Sequence, residues 1–247
     1  MTTDSSKQVR DQYDTWHARR AAAREDRTLR PWHRTVLKLL PDLNGLSVLE
    51  IGCGSGSFSL LLAARYPEAK ITAVDFSERA IEAALDRQRQ AGTRIEFMVK
   101  DAQRLTFPDG RFDFVFSCEC LEHLPEPGRM CQEIARVLKP RGEWILTTEN
   151  YFNGMVLAWL MSIAKRRHFD SGSGVQPHEN FFLFWRVRRM VEQAGLEIRH
   201  MESNHFQWLL LPRVAPDKLR TDDFQTPFLR RLLRPFGRHF TFKGTKA

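Results

Sequence analysis

The chain has 247 residues, of which 42% are hydrophobic and 28% are charged. This globular composition excludes global disorder, collagen and coiled coil, and the length suits one large α/β domain, or a core with a cap, better than two full domains. The net charge of +8 favours anionic partners such as nucleic acid, an anionic small molecule or a membrane surface, although simple solubility explains it equally well.

The first residues are polar and lack the apolar segment of a signal peptide, so we expect a cytoplasmic protein. The longest apolar runs, such as 155–164, fall short of the ~20 residues that a membrane span needs. Four cysteines do not make a disulfide framework here, because Cys118 and Cys120 are one residue apart near a predicted strand end. We expect all four to be reduced thiols.

Residues 1–40 are charged and helical in character, and Pro41 with the Asn44-Gly45 turn ends this segment. From residue 48 to residue 148, short apolar runs alternate with amphipathic stretches. The pattern predicts strand 48–51, helix 58–66, strand 71–75, helix 78–91 ended by Gly92, strand 95–99, strand 112–116, helix 130–138, a break at 139–142 and strand 144–147.

The alternation stops after Thr148. The remaining predictions are helix 154–164, a Ser/Gly loop at 171–174, helix 183–194 ended by Gly195, strand 197–202 and a last strand at 240–242. The stretch 208–238, rich in Leu, Pro, Phe and Arg, gives no clear prediction.

Strands that alternate with helices and are almost continuously apolar indicate an α/β fold with a parallel sheet buried on both faces. In such doubly wound folds, ligands bind at the carboxyl ends of the strands, where the strand order reverses. The residues that directly follow each predicted strand are therefore the candidates for a binding site.

The segment 50–56, Glu-Ile-Gly-Cys-Gly-Ser-Gly, follows the first strand and opens a helix. Glycines let the backbone approach a ligand closely, and a helix N-terminus favours a carboxylate or phosphate. A dinucleotide fingerprint needs glycine at position 57, where the chain has Ser57. Glu50 would repel a pyrophosphate and suits a ligand with an ammonium group.

Two more strand ends carry carboxylates. Asp75 ends the second strand, where it can accept both hydroxyls of a ribose, and Phe76 after it can lie against an adenine ring. Asp101 and Ala102 end the third strand, where a carboxylate can accept from the adenine amino group. Taken singly, each aspartate is equally typical of a turn or a helix cap.

Five segments in order, VLEIGCGSG, AVDFS, KDAQRLTFPDGRFDFVFS, CLEHLPEP and VLKPRGEWIL, together span about 100 of the 247 residues. Together they resemble the class I S-adenosylmethionine-dependent methyltransferases. The resemblance is strongest to the small-molecule group that includes the ubiquinone/menaquinone biosynthesis and sugar O-methyltransferases. An ordered set of this kind is far more specific than any single motif.

The resemblance implies a Rossmann-like, mostly parallel seven-stranded sheet that binds S-adenosylmethionine. It implies that Glu50 supports the amino group of the cofactor, Asp75 its ribose, and Asp101 its adenine. The other cofactor contacts that it implies lie in the glycine loop and after the third and fourth strands, at Gly52, Cys53, Gly54, Gly56, Ala102, Ser117 and Cys118.

The implied organisation has four parts. Residues 1–40 form an N-terminal helical lid and residues 41–150 the cofactor-binding core. Residues 151–185 form a cap that contributes to the substrate pocket, and residues 186–247 complete the sheet. The lid and the cap are the parts of the chain that look least like the family.

His123, just after the fourth strand, is the first candidate for a general base, since its near-neutral pKa suits that role. Related sugar and antibiotic methyltransferases carry a histidine at or near this place, although the residue can also simply hold the loop. Glu149, after the fifth strand, is the second candidate, as a partner of His123, a substrate contact or an ordinary strand-end carboxylate. Cys118 and Cys120 lack zinc-ligand spacing, so no metal is predicted.

Three further residues are candidates for the substrate side. Tyr13 and Trp16 are predicted to close over the cofactor as a lid, although aromatics at helical spacing more often serve packing. His178, between the Ser/Gly loop and an aromatic pair, is predicted to border the substrate pocket or to begin a helix.

The preferred function is in-line transfer of a methyl group to an oxygen or nitrogen of a small metabolite, such as a sugar or secondary metabolite. The alternative is a quinone or lipid-linked acceptor at a membrane surface, since the apolar stretch 154–164, the basic run 165–167 and the stretch 227–238 can lie on anionic lipid. A third hypothesis is a non-catalytic regulator or scaffold that binds the cofactor. Nucleic acid is not an expected partner, because Asn-Pro-Pro-Tyr-type and Pro-Cys motifs are absent.

Overall fold

The computed structural model describes residues 10–15, 30–150, 182–206 and 237–247, together with residues 163, 180 and 228. The predicted helix 154–164 and loop 171–174 therefore lie outside the described residues, apart from residue 163. Within the described ranges, no helix combines the length and the apolar content needed to cross a bilayer.

Residues 10–15 are helical, and five longer helices follow within the described ranges. They are α1 (Pro31–Leu39), α2 (Ser57–Arg65), α3 (Glu78–Ala91), α4 (Pro127–Val137) and α5 (Phe184–Gln193). The seven strands are β1 (Ser47–Ile51), β2 (Lys70–Asp75), β3 (Glu96–Val99), β4 (Phe112–Cys118), β5 (Leu138–Glu149), β6 (Leu196–Phe206) and β7 (Gly237–Lys246). A short 3₁₀ helix, Leu121–His123, follows β4.

All seven strands form one sheet in the order β3-β2-β1-β4-β5-β7-β6. The strands β1 to β5 pair in parallel, and β7 is antiparallel to both of its neighbours, β5 and β6. The predicted α/β class with a mostly parallel, seven-stranded sheet is confirmed. The strand order reverses between β1 and β4, so the carboxyl ends of these two strands flank the expected binding crevice.

The sheet is covered on both faces. On one face, strand residues such as Ile51 join a buried cluster with Met130 of α4. On the other face, Phe116 of β4 packs in a second cluster with Phe58 of α2 and Val36 of α1. The burial of both faces explains why the central strands are almost continuously apolar.

One predicted boundary is wrong. The sequence Lys139-Pro140-Arg141-Gly142 predicted a break before the fifth strand, but β5 begins at Leu138 and runs through it. The strand accommodates these residues because its register with β4 shifts between Phe112 and Phe114, and because Arg141 adopts a φ of +63°. Proline and glycine thus mark an irregularity within the strand and not its end.

Candidate active site

The glycine loop connects β1 to α2 and is held against β2. Gly52, Gly54 and Gly56 all have positive φ angles, of 77°, 53° and 75°. The backbone N–H groups of Gly52 and Cys53 both donate to the carbonyl oxygen of Val74, at 2.8 and 3.0 Å. The loop therefore presents backbone to the crevice at the carboxyl ends of β1 and β2.

Gly52 lies against the turn that follows β4. A Cβ atom placed on Gly52 would lie 2.7 Å from both the Cβ and the Sγ atoms of Cys120, closer than real Cβ contacts allow. Only glycine therefore fits at this point, and the start of the loop is in contact with the segment that follows β4.

Asp75 connects the glycine loop to the start of α3. Its Oδ2 atom accepts a hydrogen bond from the backbone N–H of Gly54 at 2.8 Å, and its Oδ1 atom accepts from that of Ser77 at 2.9 Å. The sequence predicted a ribose contact for this carboxylate and did not predict that it also fixes the loop. Phe76, the predicted adenine contact, lies under the guanidinium group of Arg10, 4.7 Å from the ring centre.

Glu50 is a buried carboxyl group beneath the loop. It accepts a hydrogen bond from the Ser59 hydroxyl. Burial raises the pKa of Glu50 to about 8. The hydrogen bond from Ser59 lowers this pKa but does not cancel the effect of burial, and the charge of Asp75 raises it further. A buried acid of this kind ionises readily once a cation, such as a ligand ammonium group, is placed beside it.

Asp101 and Ala102 follow β3, but their side chains have structural contacts. The Oδ1 atom of Asp101 accepts from the backbone N–H of Gln103 at 2.8 Å and from its side-chain amide at 3.2 Å. The side chain of Ala102 is buried in the core. An adenine contact through Asp101 stays a prediction.

Ser117, Cys118 and Cys53 also direct their side chains into the protein. The Ser117 hydroxyl donates to the carbonyl oxygen of Ile51 at 2.8 Å, which ties β4 to β1. Both thiols are buried, and burial raises the pKa of each. Any contact that these three residues make with a ligand is therefore expected from their backbone.

A buried carboxylate and imidazole pair lies at the ends of β4, β5 and β7. Glu119, the first residue after β4, accepts from the Thr147 hydroxyl through Oε1 at 2.8 Å, and its Oε2 atom lies 3.0 Å from Nδ1 of His239. Burial by itself would raise the pKa of Glu119. The pKa nevertheless lies below its usual value, because the carboxylate is stabilised by the charge of His239, by hydrogen bonds with His239 and Thr147, and by the charge of His123. Glu119 is therefore ionised at neutral pH.

Glu149 and His123, the two predicted catalytic residues, lie next to this pair. Glu149, Glu119 and His239 each offer one oxygen or nitrogen atom within 4.8 Å of the others, close enough to surround a cation. The Nε2 atom of His123 is 3.9 Å from Oε1 of Glu122. The fold thus brings Glu149 and His123 to one edge of the sheet.

The pKa of Glu122 is shifted in the opposite direction to that of Glu119. Its Oε2 atom accepts from the Thr148 hydroxyl at 2.8 Å. Burial, together with the charges of Glu119 and Glu149, raises the pKa of Glu122 well above its usual value. Burial therefore favours the protonated form of Glu122.

Tyr13, the substrate-side residue that the structure describes, reaches the same edge. Its hydroxyl donates to the backbone carbonyl of His123 at 3.4 Å, and the two ring centres are 6.3 Å apart. Trp16 and His178, the other two predicted substrate contacts, lie outside the described residues.

Sequence reasoning missed Glu119 and His239. Glu119 directly follows a strand end, so the rule that singled out Asp75 and Asp101 applied to it as well. His239 precedes the predicted strand 240–242, but the sequence does not show that this strand is antiparallel and delivers its first residues to the site.

Comparison with known proteins agrees with this geometry. A family model described as a methyltransferase domain matches residues 48–142. The chain is 30% identical over 166 residues to a ubiquinone biosynthesis O-methyltransferase of Coxiella burnetii, covering 66% of this chain and 69% of that protein. The chain belongs to the class I S-adenosylmethionine-dependent methyltransferases.

Two other similar proteins show how this methyltransferase relates to the family. It is 32% identical over 114 residues to a demethylmenaquinone methyltransferase of Listeria welshimeri, covering 45% of this chain and 48% of that protein. A SAM-dependent methyltransferase structure from Methanosarcina mazei has the same fold, with a TM-score of 0.63, 21% identity and coverage of 89% of this chain and 98% of that one.

The site of this methyltransferase fits S-adenosylmethionine on its own geometry. The loop at Gly52 has no room for a side chain, which leaves backbone facing the crevice. Glu50 supplies a buried carboxyl group for an ammonium, and Asp75 supplies a fixed carboxylate for hydroxyl groups. The bound cofactor supplies an electrophilic methyl group.

Proposed function

We propose that this methyltransferase transfers the methyl group to an oxygen of a small aromatic, quinol-type acceptor. The observation that carries the proposal is the set Glu119, Glu149 and His239, in which Glu119 directly precedes Cys120, the residue that lies against Gly52 of the glycine loop. An oxygen acceptor has to lose a proton as it is methylated, and such a set can remove and hold that proton. The names of the relatives from Coxiella burnetii and Listeria welshimeri favour a quinone-related acceptor over a sugar.

The cofactor contacts of the sequence analysis are part of this proposal. Glu50 holds the amino group, Asp75 the ribose and Asp101 the adenine, with Phe76 against the adenine ring. The remaining contacts come from the backbone of the glycine loop and of the residues after β3 and β4, at Gly52, Cys53, Gly54, Gly56, Ala102, Ser117 and Cys118. The charge complementarity of Glu50 and the fixed geometry of Asp75 support these assignments.

The protein residues have three tasks in this reaction. They hold the acceptor oxygen in line with the methyl group, exclude water, and take up the proton. Aromatic side chains suit the first two tasks, and Trp32 of α1 lies with its ring centre 5.1 Å from that of His239. The imidazoles of His123 and His239 both interact with Glu119, and the sequence predicts His123 as the base.

The N-terminal lid and the cap complete the proposal. Residues 1–40 are proposed to close over the site and residues 151–185 to contribute to the acceptor pocket. The contact of Tyr13 with the loop at His123 supports the first part. The apolar and basic stretches that suggested a membrane surface lie outside the described residues, apart from residues 163, 228, 237 and 238.

Methyl transfer from labelled S-adenosylmethionine tests the function directly. The acceptor panel contains a short-chain catechol, a short-chain hydroquinone, a sugar and an amine, and product mass spectrometry identifies the methylated atom. We expect methyl ether formation on the catechol or hydroquinone. Transfer to nitrogen or carbon alone, or to the sugar alone, would contradict the proposed acceptor, and cofactor binding without any transfer would favour the regulator hypothesis.

A further inference from the structure

We propose that His239, oriented by Glu119, is the catalytic base that takes the acceptor's proton, an inference that rests on the proposed oxygen transfer. The acceptor hydroxyl gives its proton to Nε2 of His239 while its oxygen bonds to the methyl carbon. The bond between that carbon and the sulfur breaks, and its electron pair stays on sulfur. The products are a methyl ether, the demethylated cofactor and an imidazolium beside the carboxylate of Glu119.

The pair has the geometry of a base and its orienting residue. The Nδ1 atom of His239 is 3.0 Å from Oε2 of Glu119, whose Oε1 atom is held by the Thr147 hydroxyl at 2.8 Å. The side chains of His239 and Glu119 are only 6% and 10% exposed. With Nδ1–H donating to the carboxylate, a proton is gained at Nε2. This is the arrangement by which a carboxylate fixes the tautomer of a catalytic imidazole.

Glu119 also lies next to the segment that contacts the glycine loop. Glu119 directly precedes Cys120, which is in contact with the first glycine of the loop, Gly52. Glu119 also interacts electrostatically with His33, whose ring stacks on Phe58 at a centroid distance of 4.3 Å. Phe58 is the second residue of α2, directly after the glycine loop.

His123, the base that sequence predicts, has a less favourable carboxyl neighbour. The distance of 3.9 Å between its Nε2 atom and Glu122 is too long for a hydrogen bond. Burial raises the pKa of Glu122, which disfavours the charged form that would stabilise an imidazolium. Glu119 is ionised and therefore stabilises an imidazolium at His239.

Several other groups surround the pair and bear on its pH dependence. Glu149 of β5 faces both members, and Trp32 of α1 lies against the His239 ring. His33 of α1 interacts with Glu119, and burial lowers the pKa of His33 to about 4, so it is neutral in the range of the test. His123 and Glu122, in the 3₁₀ helix after β4, also interact electrostatically with Glu119.

The first test compares histidine variants in the full-length protein. His239→Asn keeps an N–H donor for Glu119 but removes the basic nitrogen, and we expect kcat for the oxygen acceptor to fall about 100-fold or more. The Kd for S-adenosylhomocysteine, measured by calorimetry, should stay within about threefold. The matched control is His200→Asn, which removes a histidine paired with Glu202 at 3.2 Å on β6 and should leave kcat unchanged.

The second test measures how pH affects the reaction and the His239 ring, first through kcat/KM and then by NMR in the absence of substrate. The acid limb of kcat/KM should be lost in His239→Asn. In Glu119→Gln it should move to lower pH, because a neutral amide no longer stabilises the imidazolium. NMR titration of the His239 ring nitrogens in the ligand-free protein should show the same direction of change in Glu119→Gln. A purely structural role for the pair would leave the acid limb of kcat/KM in place in His239→Asn.

Three outcomes separate the possible failures. If His123→Asn abolishes turnover and His239→Asn does not, His123 is the base and the proposal is wrong. If chelation abolishes turnover and a divalent cation restores it, the set Glu119, Glu149 and His239 holds a cation and the proposal is also wrong. If the wild-type protein methylates no oxygen acceptor, the proposed function fails, whatever the variants show.

Discussion

Gly52 and Gly45 have the same φ angle of +77° but different surroundings. A Cβ atom on Gly45 would have no neighbour within 4 Å, whereas one on Gly52 would collide with Cys120. A left-handed backbone costs a non-glycine residue about 1–2 kcal/mol at either position. Replacing each glycine by alanine costs about the same backbone energy, so any difference in ligand binding between the two variants reports the contact of Gly52 with Cys120.

Gly52→Ala is expected to weaken binding of S-adenosylhomocysteine at least 10-fold, because the loop must move away from Cys120. Gly45→Ala should lower the free energy of unfolding by about 1 kcal/mol and leave ligand affinity unchanged. Calorimetry and urea unfolding measure the two effects. Equal ligand affinity in the two variants would show that the approach of Gly52 to Cys120 does not shape the binding crevice.

At the scale of elements, the helical residues 10–15 dock on the start of α3. Asp14 accepts hydrogen bonds from the Ser77 hydroxyl and from the backbone N–H of Arg79, the latter at 3.3 Å. Ser77 also donates its backbone N–H to Asp75. A continuous chain of hydrogen bonds therefore joins the N-terminal segment to the carboxylate that is proposed to hold the ribose.

Asp14→Ala is expected to speed dissociation of S-adenosylhomocysteine about threefold to tenfold, because the segment loses its anchor on α3. The matched control is Asp11→Ala, at an exposed position on the same segment. This substitution keeps the hydrogen bond from the Thr15 hydroxyl, because its acceptor is the backbone carbonyl of Asp11. Stopped-flow displacement measures both rates. Identical rates in the two variants would show that the segment does not retain the ligand.

Local sequence signals predicted the helices and strands of the central sheet well. The helix α3 has the bounds that sequence predicts, because Ser77 caps its first turn and Gly92 ends it in a left-handed conformation. The start of β5 was wrong because pairing with β4 overrides the local tendency of Pro140 and Gly142 to break a strand.

Long-range contacts explain why the site was predicted only in part. The glycine loop and the strand-end carboxylates, such as Asp75, are local signals that one sequence displays. Glu119 and His239 are 120 residues apart and meet only because β7 inserts antiparallel beside β5. Sequence alone does not fix that pairing, so the pair went unnoticed.

At the scale of the whole molecule, Glu50 makes stability depend on pH. Its carboxyl group has a pKa of about 8 in the folded protein, well above that of an exposed glutamate. The folded state therefore favours protonated Glu50. This contribution to stability is complete below about pH 4 and is lost as pH rises through 8.

Glu50→Gln keeps an acceptor for the Ser59 hydroxyl and cannot ionise. We expect the variant to gain stability relative to the wild type between pH 5 and pH 9, by on the order of 3 kcal/mol. Urea unfolding of the ligand-free proteins at several pH values measures this difference. Parallel pH curves for the two proteins would show that Glu50 is not a buried neutral acid.

The position of β7 between β5 and β6 also has a consequence for biosynthesis. In the sheet, β6 pairs with β7, which the ribosome makes later, so β6 can join the sheet only after β7 has emerged. The glycine loop and the strands β1 to β5 can assemble before that. A nascent chain can thus acquire its nucleoside-binding half while it still lacks His239, and proton removal becomes possible only when translation of the sheet is complete.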